Sequence, residues 1–343
     1  MNRKQRRSAA KTGTPASQQS VADKVVQKAI AAVKAGALKE AAQAFDQVLG
    51  RFPNHVEALH QKGMLLARTG NAEAGVAFLE RATAAKPDQP LYWNNLAAAC
   101  LTCDRMEEAR EAAQRAVSLD PQYVMAWRNL GTVAGALKHH AAAAQAFEKA
   151  SQLAPRDADI WYQLARAQLE SGNHLAGRTA LERAIELVPA NAEYQSNMGI
   201  LLLQQRRIAD ALPYLERAVG LEPDRFAAAL HYGIALGLSK SHEPALRWLR
   251  RATSIKPNSD TAWGALADAA MAAGETAEAQ DAARRAAEFA PGDPNHRARL
   301  RRLEPSAAPR STLIELDLGN LSSDRDNANE PELSTSLDQI FIR

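Results

Sequence analysis

Apolar and small side chains recur at helical spacing from Val124 to Asp157: Trp127, Leu130, Gly131 and Ala134, then Ala143, Phe147 and Ala150, with polar residues between them. This period predicts two short amphipathic helices, and Pro155 predicts the stop that closes the pair. The same unit is written eight times. Prolines stand at 53, 87, 121, 155, 189, 223, 257 and 291, each 34 residues after the one before. A fixed period in this range is the mark of stacked helical hairpins.

Numbering each unit from its first residue, beginning at Ala22, lets equivalent slots be compared. Slot four holds Leu59, Trp93, Trp127, Trp161 and Trp263, and slot seven Leu96, Leu130, Leu164, Met198 and Leu266. Slot eight holds Gly63, Ala97, Gly131, Ala165, Gly199, Gly233 and Ala267. A large residue beside a small one lets the second helix press against the first. Slot twenty is always small (Ala41, Gly75, Ala109, Ala143, Gly177, Ala211, Ala245, Ala279), as a close helix crossing requires. Slot twenty-seven is Val48 and then Ala in every later unit.

Trp, Leu-Gly, Ala, a bulky residue, Ala and Pro at these offsets resemble the pattern of the tetratricopeptide-repeat family, over residues 22–293 of the 343. The resemblance implies an all-α fold, a right-handed α-solenoid of eight 34-residue helix-turn-helix units. The first unit departs from it, with Val25, Lys28 and Ala29 in the Trp and Leu-Gly slots, as terminal repeats often do. Small or aliphatic residues such as Ala32, Cys100 and Ala134 replace the expected aromatic in slot eleven. Residues 294–304 read as a capping helix with Leu300 and Leu303 inward and Arg297, Arg299, Arg301 and Arg302 outward.

Composition changes the picture mainly at the ends. Hydrophobic residues make up 46% of the chain and aromatics only 5%, so the interior is built on Ala and Leu. The net charge of +3 is unevenly placed. Residues 1–21 read as a disordered basic arm carrying Arg3, Lys4, Arg6, Arg7 and Lys11. Residues 305–343 read as a disordered acidic tail, with three Arg against seven Asp or Glu. Two apolar islands interrupt that tail, 313–318 and 337–342, and one of them is expected to dock, either on this protein's own groove or on a partner. The basic start has no apolar stretch behind it and no run reaches membrane-spanning length, so a soluble, cytoplasmic protein is expected. Two cysteines agree with a reducing compartment.

In the family, the first helix of every unit lines a concave groove through slots two, five, six, nine, twelve and thirteen. Slot six holds Gln27, Gln61, Asn95, Asn129, Gln163 and Asn197, then His231 and Ala265. A carboxamide both donates and accepts, so a row of them would clamp the backbone of an extended peptide whatever its side chains. The row resembles the asparagine ladder of O-linked N-acetylglucosamine transferases, here without a catalytic domain. On that reading, replacing Asn95, Asn129 and Asn197 together would weaken capture and leave the fold intact. Arg128, Arg166 and Tyr162 join the candidate peptide-binding residues, and Met64, Leu101, Leu169, Ile200, Leu203, Ile234 and Leu238 suggest aliphatic anchors. Met125 would add contact area.

The slots carry mixed charge (Lys34, Arg68, Arg128 and Arg166 against Asp23, Glu57, Asp159, Glu170, Glu193 and Asp268) and no basic track, so nucleic acid is not the expected groove ligand. Cys100 and Cys103, with His139 and His140 in the next unit, match no zinc spacing, and Cys100 falls in an interior slot. Catalytic motifs do not survive their context, and no metal or cofactor is expected. The sequence therefore points to a non-enzymatic protein-binding scaffold. Two alternatives stay open. MNRKQRRSAAK resembles the start of bacterial repeat proteins joined to sulfo-, methyl- or glycosyltransferase domains, which suggests a substrate-recruiting partner of a separate transferase. The basic arm could instead make the chain a nucleic-acid-associated adaptor.

Overall fold

The computed structural model describes residues 15–303, with side chains from residue 18, and they are all-helical. Seventeen helices follow in order: α1 (Pro15–Lys34), α2 (Leu38–Arg51), α3 (Val56–Arg68), α4 (Ala72–Ala85), α5 (Pro90–Thr102), α6 (Met106–Leu119), α7 (Val124–Ala136), α8 (His140–Leu153), α9 (Ala158–Glu170), α10 (His174–Leu187), α11 (Ala192–Gln204), α12 (Ile208–Leu221), α13 (Phe226–Leu238), α14 (His242–Ile255), α15 (Asp260–Ala273), α16 (Thr276–Phe289) and α17 (Pro294–Leu303). Consecutive pairs are the eight hairpins, and α17 follows them. The basic charges of the arm and both apolar islands of the tail lie outside the described residues. One boundary moves: α1 begins at Pro15, seven residues before the expected start of the array. Proline is well placed in a first helical turn, and the Gln, Ser and Val that follow carry the helix into Ala22.

Each hairpin closes through a small-residue contact. The slot-twenty residues Ala41, Ala109, Ala143, Ala211, Ala245 and Ala279 are buried, and so is every slot-twenty-seven residue. Slot eight faces slot twenty-four sixteen residues later, and the two sizes answer each other. A methyl group on Gly131 would sit 2.9 Å from the Phe147 ring, and one on Gly63 or Gly233 would sit 2.7 Å from Leu79 or Leu249. Where slot eight is Ala97 or Ala267, the facing residues are only Ala113 and Ala283. The knob thus answers the hole in six of the eight hairpins, the exceptions being Ala29 opposite Phe45 and Ala165 opposite Leu181.

The turn inside each hairpin has one fixed requirement. Slot fifteen is left-handed in all eight repeats: Gly36, Gly70, Gly172 and Gly274 at φ 81–85°, and Asp104, Lys138, Arg206 and Lys240 at φ 58–64°. Glycine adopts that conformation without strain, and the other four residues hold it at a cost of about 1 kcal/mol each. A second device ties four of the hairpins to the turn before them. The indole N–H groups of Trp93, Trp127 and Trp263 donate to the carbonyls of Pro87, Pro121 and Pro257 at 2.8–2.9 Å. In the sixth repeat Gln195, fully buried, takes over with its amide on the Pro189 carbonyl at 2.8 Å.

The helices form two bodies, residues up to 155 and residues from 156. Within the first body α1, α3, α5 and α7 touch in succession, and within the second α11, α13, α15 and α17 do. The second helices of successive hairpins make no comparable approach among the described residues. In each body the first helices therefore form the closer-packed, inner layer.

α17 keeps the register of the repeats, with Pro294 in slot one of an incomplete ninth unit. Leu300 and Leu303 pack on the core of the second body. Arg299 does not point outward with its neighbours; its guanidinium turns in to the buried Asp268 carboxylate at 3.0 Å. The reason is the register, because Arg299 stands over Gly264, whose missing side chain leaves room for it. Arg301 occupies slot eight, where the repeats carry Gly or Ala, and it is exposed among the described residues.

Candidate functional site

The inner face is built by slots two, five and six of successive first helices, which meet across repeats at a constant offset. Slot five of one repeat lies against slot six of the next, 35 residues on. Asn95 Nδ2 lies 2.8 Å from His60 Nε2, Asn129 Nδ2 donates to Asn94 Oδ1 at 2.9 Å, and Asn197 Nδ2 donates to the Tyr162 hydroxyl at 2.7 Å. Slot two meets slot three at the same offset. Tyr92 donates its hydroxyl to Glu57 at 3.2 Å, and Tyr194 donates to Asp159. Within helices, Gln61 donates to Glu57 at 2.9 Å, and across repeats Tyr162 donates to Glu193 at 2.6 Å.

Electrostatics keep these groups in their hydrogen-bonding forms. Burial pushes His60 down to about 4 against the opposing pull of Glu57, so the ring is neutral at physiological pH. With Nε2 accepting from Asn95, the ring proton sits on Nδ1, which is buried without a partner among the described residues. The ring packs on Tyr92 at 4.4 Å between centroids. Burial first, and Glu57 second, push Tyr92 up to about 12. Burial and Asp159 raise Tyr194 as well, so both tyrosines remain donors.

This geometry corrects the expectation of a free amide ladder. Asn95 and Asn129 are 5% and 2% exposed, and their amide donors are spent on the preceding repeat. The first helices approach so closely that a slot-six amide reaches its neighbour before it can reach a ligand. The other members differ. Gln27 is exposed, and Gln61, Gln163 and Asn197 are half-buried. Arg128 is half-buried, and Arg166 lies 3.9 Å from Glu170. Tyr162 is 7% exposed, and its hydroxyl donates to Glu193 and accepts from Asn197. The sequence signal for the ties was the polar residue in slot five, His60, Asn94 or Tyr162, 35 residues before each of the three tied amides Asn95, Asn129 and Asn197.

Asn129→Ala therefore acts on stability first. It leaves the Asn94 carbonyl oxygen, in a side chain only 1% exposed, without its donor, and a loss of about 1–3 kcal/mol is expected in chemical denaturation. The triple replacement of Asn95, Asn129 and Asn197 should not leave the fold intact. An unchanged denaturation midpoint would restore the free-ladder reading.

Of the expected aliphatic anchors, Met64, Leu203 and Ile234 are buried in the interior, and Leu101 and Leu238 pack partly against it. On the inner face Leu91 is 40% exposed and Met125 half-buried. Cys100 is buried, which pushes its thiol up to about 12, and burial also raises Cys103, so neither offers a thiolate. Asp260, Asp293 and His296 are the one group of metal-ligand type close enough to share an ion among the described residues. The Arg299 guanidinium donates to His296 Nδ1 at 2.9 Å, which places the imidazole proton on Nε2, 3.1 Å from Asp260. That is a hydrogen-bonded clasp for α17 in which both imidazole nitrogens are engaged, so His296 has no lone pair left for a metal.

Two family models, both described as tetratricopeptide repeat, match the chain, one over residues 32–100 and 136–199 and the other over 104–158, 196–260 and 243–294. No curated protein matches the sequence. Among solved structures the chain is similar to that of the APC/C hetero-tetramer Cut9-Hcn1, with TM-score 0.54, 16% identity, and 78% of this chain aligned with 52% of that one. The alignment thus spans about half of that protein's length. PilF of Pseudomonas aeruginosa has TM-score 0.54 and 18% identity, covering 61% of this chain and 95% of that one. A tetratricopeptide repeat protein of Parabacteroides merdae has TM-score 0.53 and 16% identity, covering 71% and 97%. At these identities the likeness concerns the fold. No helix among the described residues is long and apolar enough to cross a membrane.

Proposed function

Because this chain belongs to the tetratricopeptide-repeat family, whose members generally mediate protein–protein interaction, we propose that it is a non-catalytic scaffold that holds an extended peptide segment against the inner face of its first helices. The observation that carries this reading is the set of ties 35 residues apart, from His60–Asn95 to Tyr162–Asn197, which fix polar side chains before any ligand arrives. A face ordered in advance loses less entropy on binding. Gln27, Gln61 and Gln163 are the row members left to reach peptide groups, with Asn197, Tyr162, Arg128 and Arg166 beside them, while Asn95 and Asn129 hold the helices in register. Each neutral hydrogen bond contributes about 0.5–1.5 kcal/mol net, so several in line are needed for micromolar binding.

The test is selection of twelve-residue peptides on the full chain from a displayed library, followed by affinity measurement. Gln61→Ala, for peptides held by the first body, or Gln163→Ala, for peptides held by the second, should weaken the selected peptides about tenfold, a loss of about 1.4 kcal/mol. Arg115→Ala, on the second helix α6, should not. Equal effects from the two faces would contradict the reading.

A further inference from the structure

The inner face of the first body carries an unsatisfied cation. Arg128 on α7 is half-buried, and its guanidinium has neither an ion pair nor a hydrogen bond among the described residues. The inner-face cations of the second body are answered: Arg166 lies near Glu170, and Arg225 lies 3.4 Å from Glu193. Glu57, an inner-face carboxylate of the first body, is engaged by the Gln61 amide and the Tyr92 hydroxyl. A partly desolvated guanidinium with its fork of donors free is the strongest anchor for a carboxylate that a protein surface offers.

The surroundings of Arg128 define the rest of the ligand. Met125 stands one turn before it on the same face of α7. Leu91 stands in the same slot as Met125 on α5, 40% exposed, and the Asn129–Asn94 hydrogen bond locks the two helices together beneath them. The patch is thus an aliphatic shelf with a cation at its edge. In an extended peptide, side chains on one side are two residues and roughly 7 Å apart. That spacing sets an aliphatic side chain on Leu91 and Met125 while a carboxylate two residues away reaches Arg128.

We infer that the face made by α5 and α7 selects an extended segment with an aliphatic residue two positions from an acid, the carboxylate pairing with Arg128. The inference rests on the peptide-binding reading above and specifies its ligand class. The chain itself contains such a spacing in its acidic tail, at Leu313 and Glu315 and again at Asp338 and Ile340, and residues 311–320 serve as the probe.

The experiment measures fluorescence anisotropy of three synthetic peptides with the full chain: residues 311–320 as they stand, the same peptide with Glu315→Gln and Asp317→Asn, and one with lysine at both positions. The acidic peptide should bind at least tenfold more tightly than the amide version and lose affinity as salt rises. In Arg128→Glu the order should invert in favour of the lysine peptide, with the helical circular dichroism unchanged. A full-length Glu315→Gln, Asp317→Asn variant that takes up the acidic peptide more tightly would identify the chain's own tail as a competitor and support the assignment. Equal binding of acidic and amide peptides, or a preference that survives Arg128→Glu, overturns it. If these peptides fail while library-selected peptides bind the inner face, this assignment falls alone; if no peptide binds, the scaffold reading falls with it.

Discussion

Phe147→Ala should lower the stability of the first body by about 3–5 kcal/mol. The ring is 4% exposed and fills the space left by Gly131, whose added methyl would lie 2.9 Å from it. Alanine at 147 leaves that space empty on both sides, with no neighbouring side chain supplied to fill it. Gly131→Ala should cost about 1–3 kcal/mol for the opposite reason, an overfilled contact. The double variant should cost less than the sum, because the new methyl then enters the cavity. Denaturant unfolding of the four proteins checks this, and strictly additive losses would separate the two residues. Since hairpins touch mainly their neighbours, hydrogen exchange in α7 and α8 should respond most.

Arg299→Ala should release α17. Its guanidinium faces Asp268 at 3.0 Å with side chains 15% and 6% exposed, and removing one partner of such a buried pair costs about 3–5 kcal/mol. Burial already raises the Asp268 carboxyl above its ordinary value even with Arg299 opposing. Without Arg299 it rises further. A carboxyl raised in the folded state favours that state at low pH, and the benefit fades as pH climbs through its folded value. Hydrogen exchange of residues 294–303 should therefore be fast at neutral pH in the variant and slow again on acidification below the ordinary carboxylate range, after allowance for the pH dependence of intrinsic exchange. Protection equal to the wild type at neutral pH would show that Leu300 and Leu303 alone dock the helix.

What the sequence made legible were the contacts that depend on residue size at a fixed period. Ala41 through Ala279 in slot twenty, and the alternation of Gly and Ala in slot eight, predict the close crossing that the structure contains. The left-handed slot fifteen was only half legible, because Gly marks it at 36, 70, 172 and 274 while Asp104, Lys138, Arg206 and Lys240 adopt it without a sequence signal. The amide row was legible as a row and not as a use. Whether Asn129 meets a peptide or Asn94 depends on how closely neighbouring first helices pack, and that distance follows from the whole interior. Arg299 hid for a similar reason: in a helix with four arginines, only the gap above Gly264 distinguishes the one that turns inward.

Hydrogen–deuterium exchange of the full chain, with and without a saturating selected peptide, tests most directly the proposal that the inner face binds peptide. Added protection should fall on α3, α5 and α7 in the first body, or on α9, α11 and α13 in the second, with the paired second helices unchanged. Protection confined to the second helices, or spread equally over both layers, would contradict an inner face ordered for an extended guest.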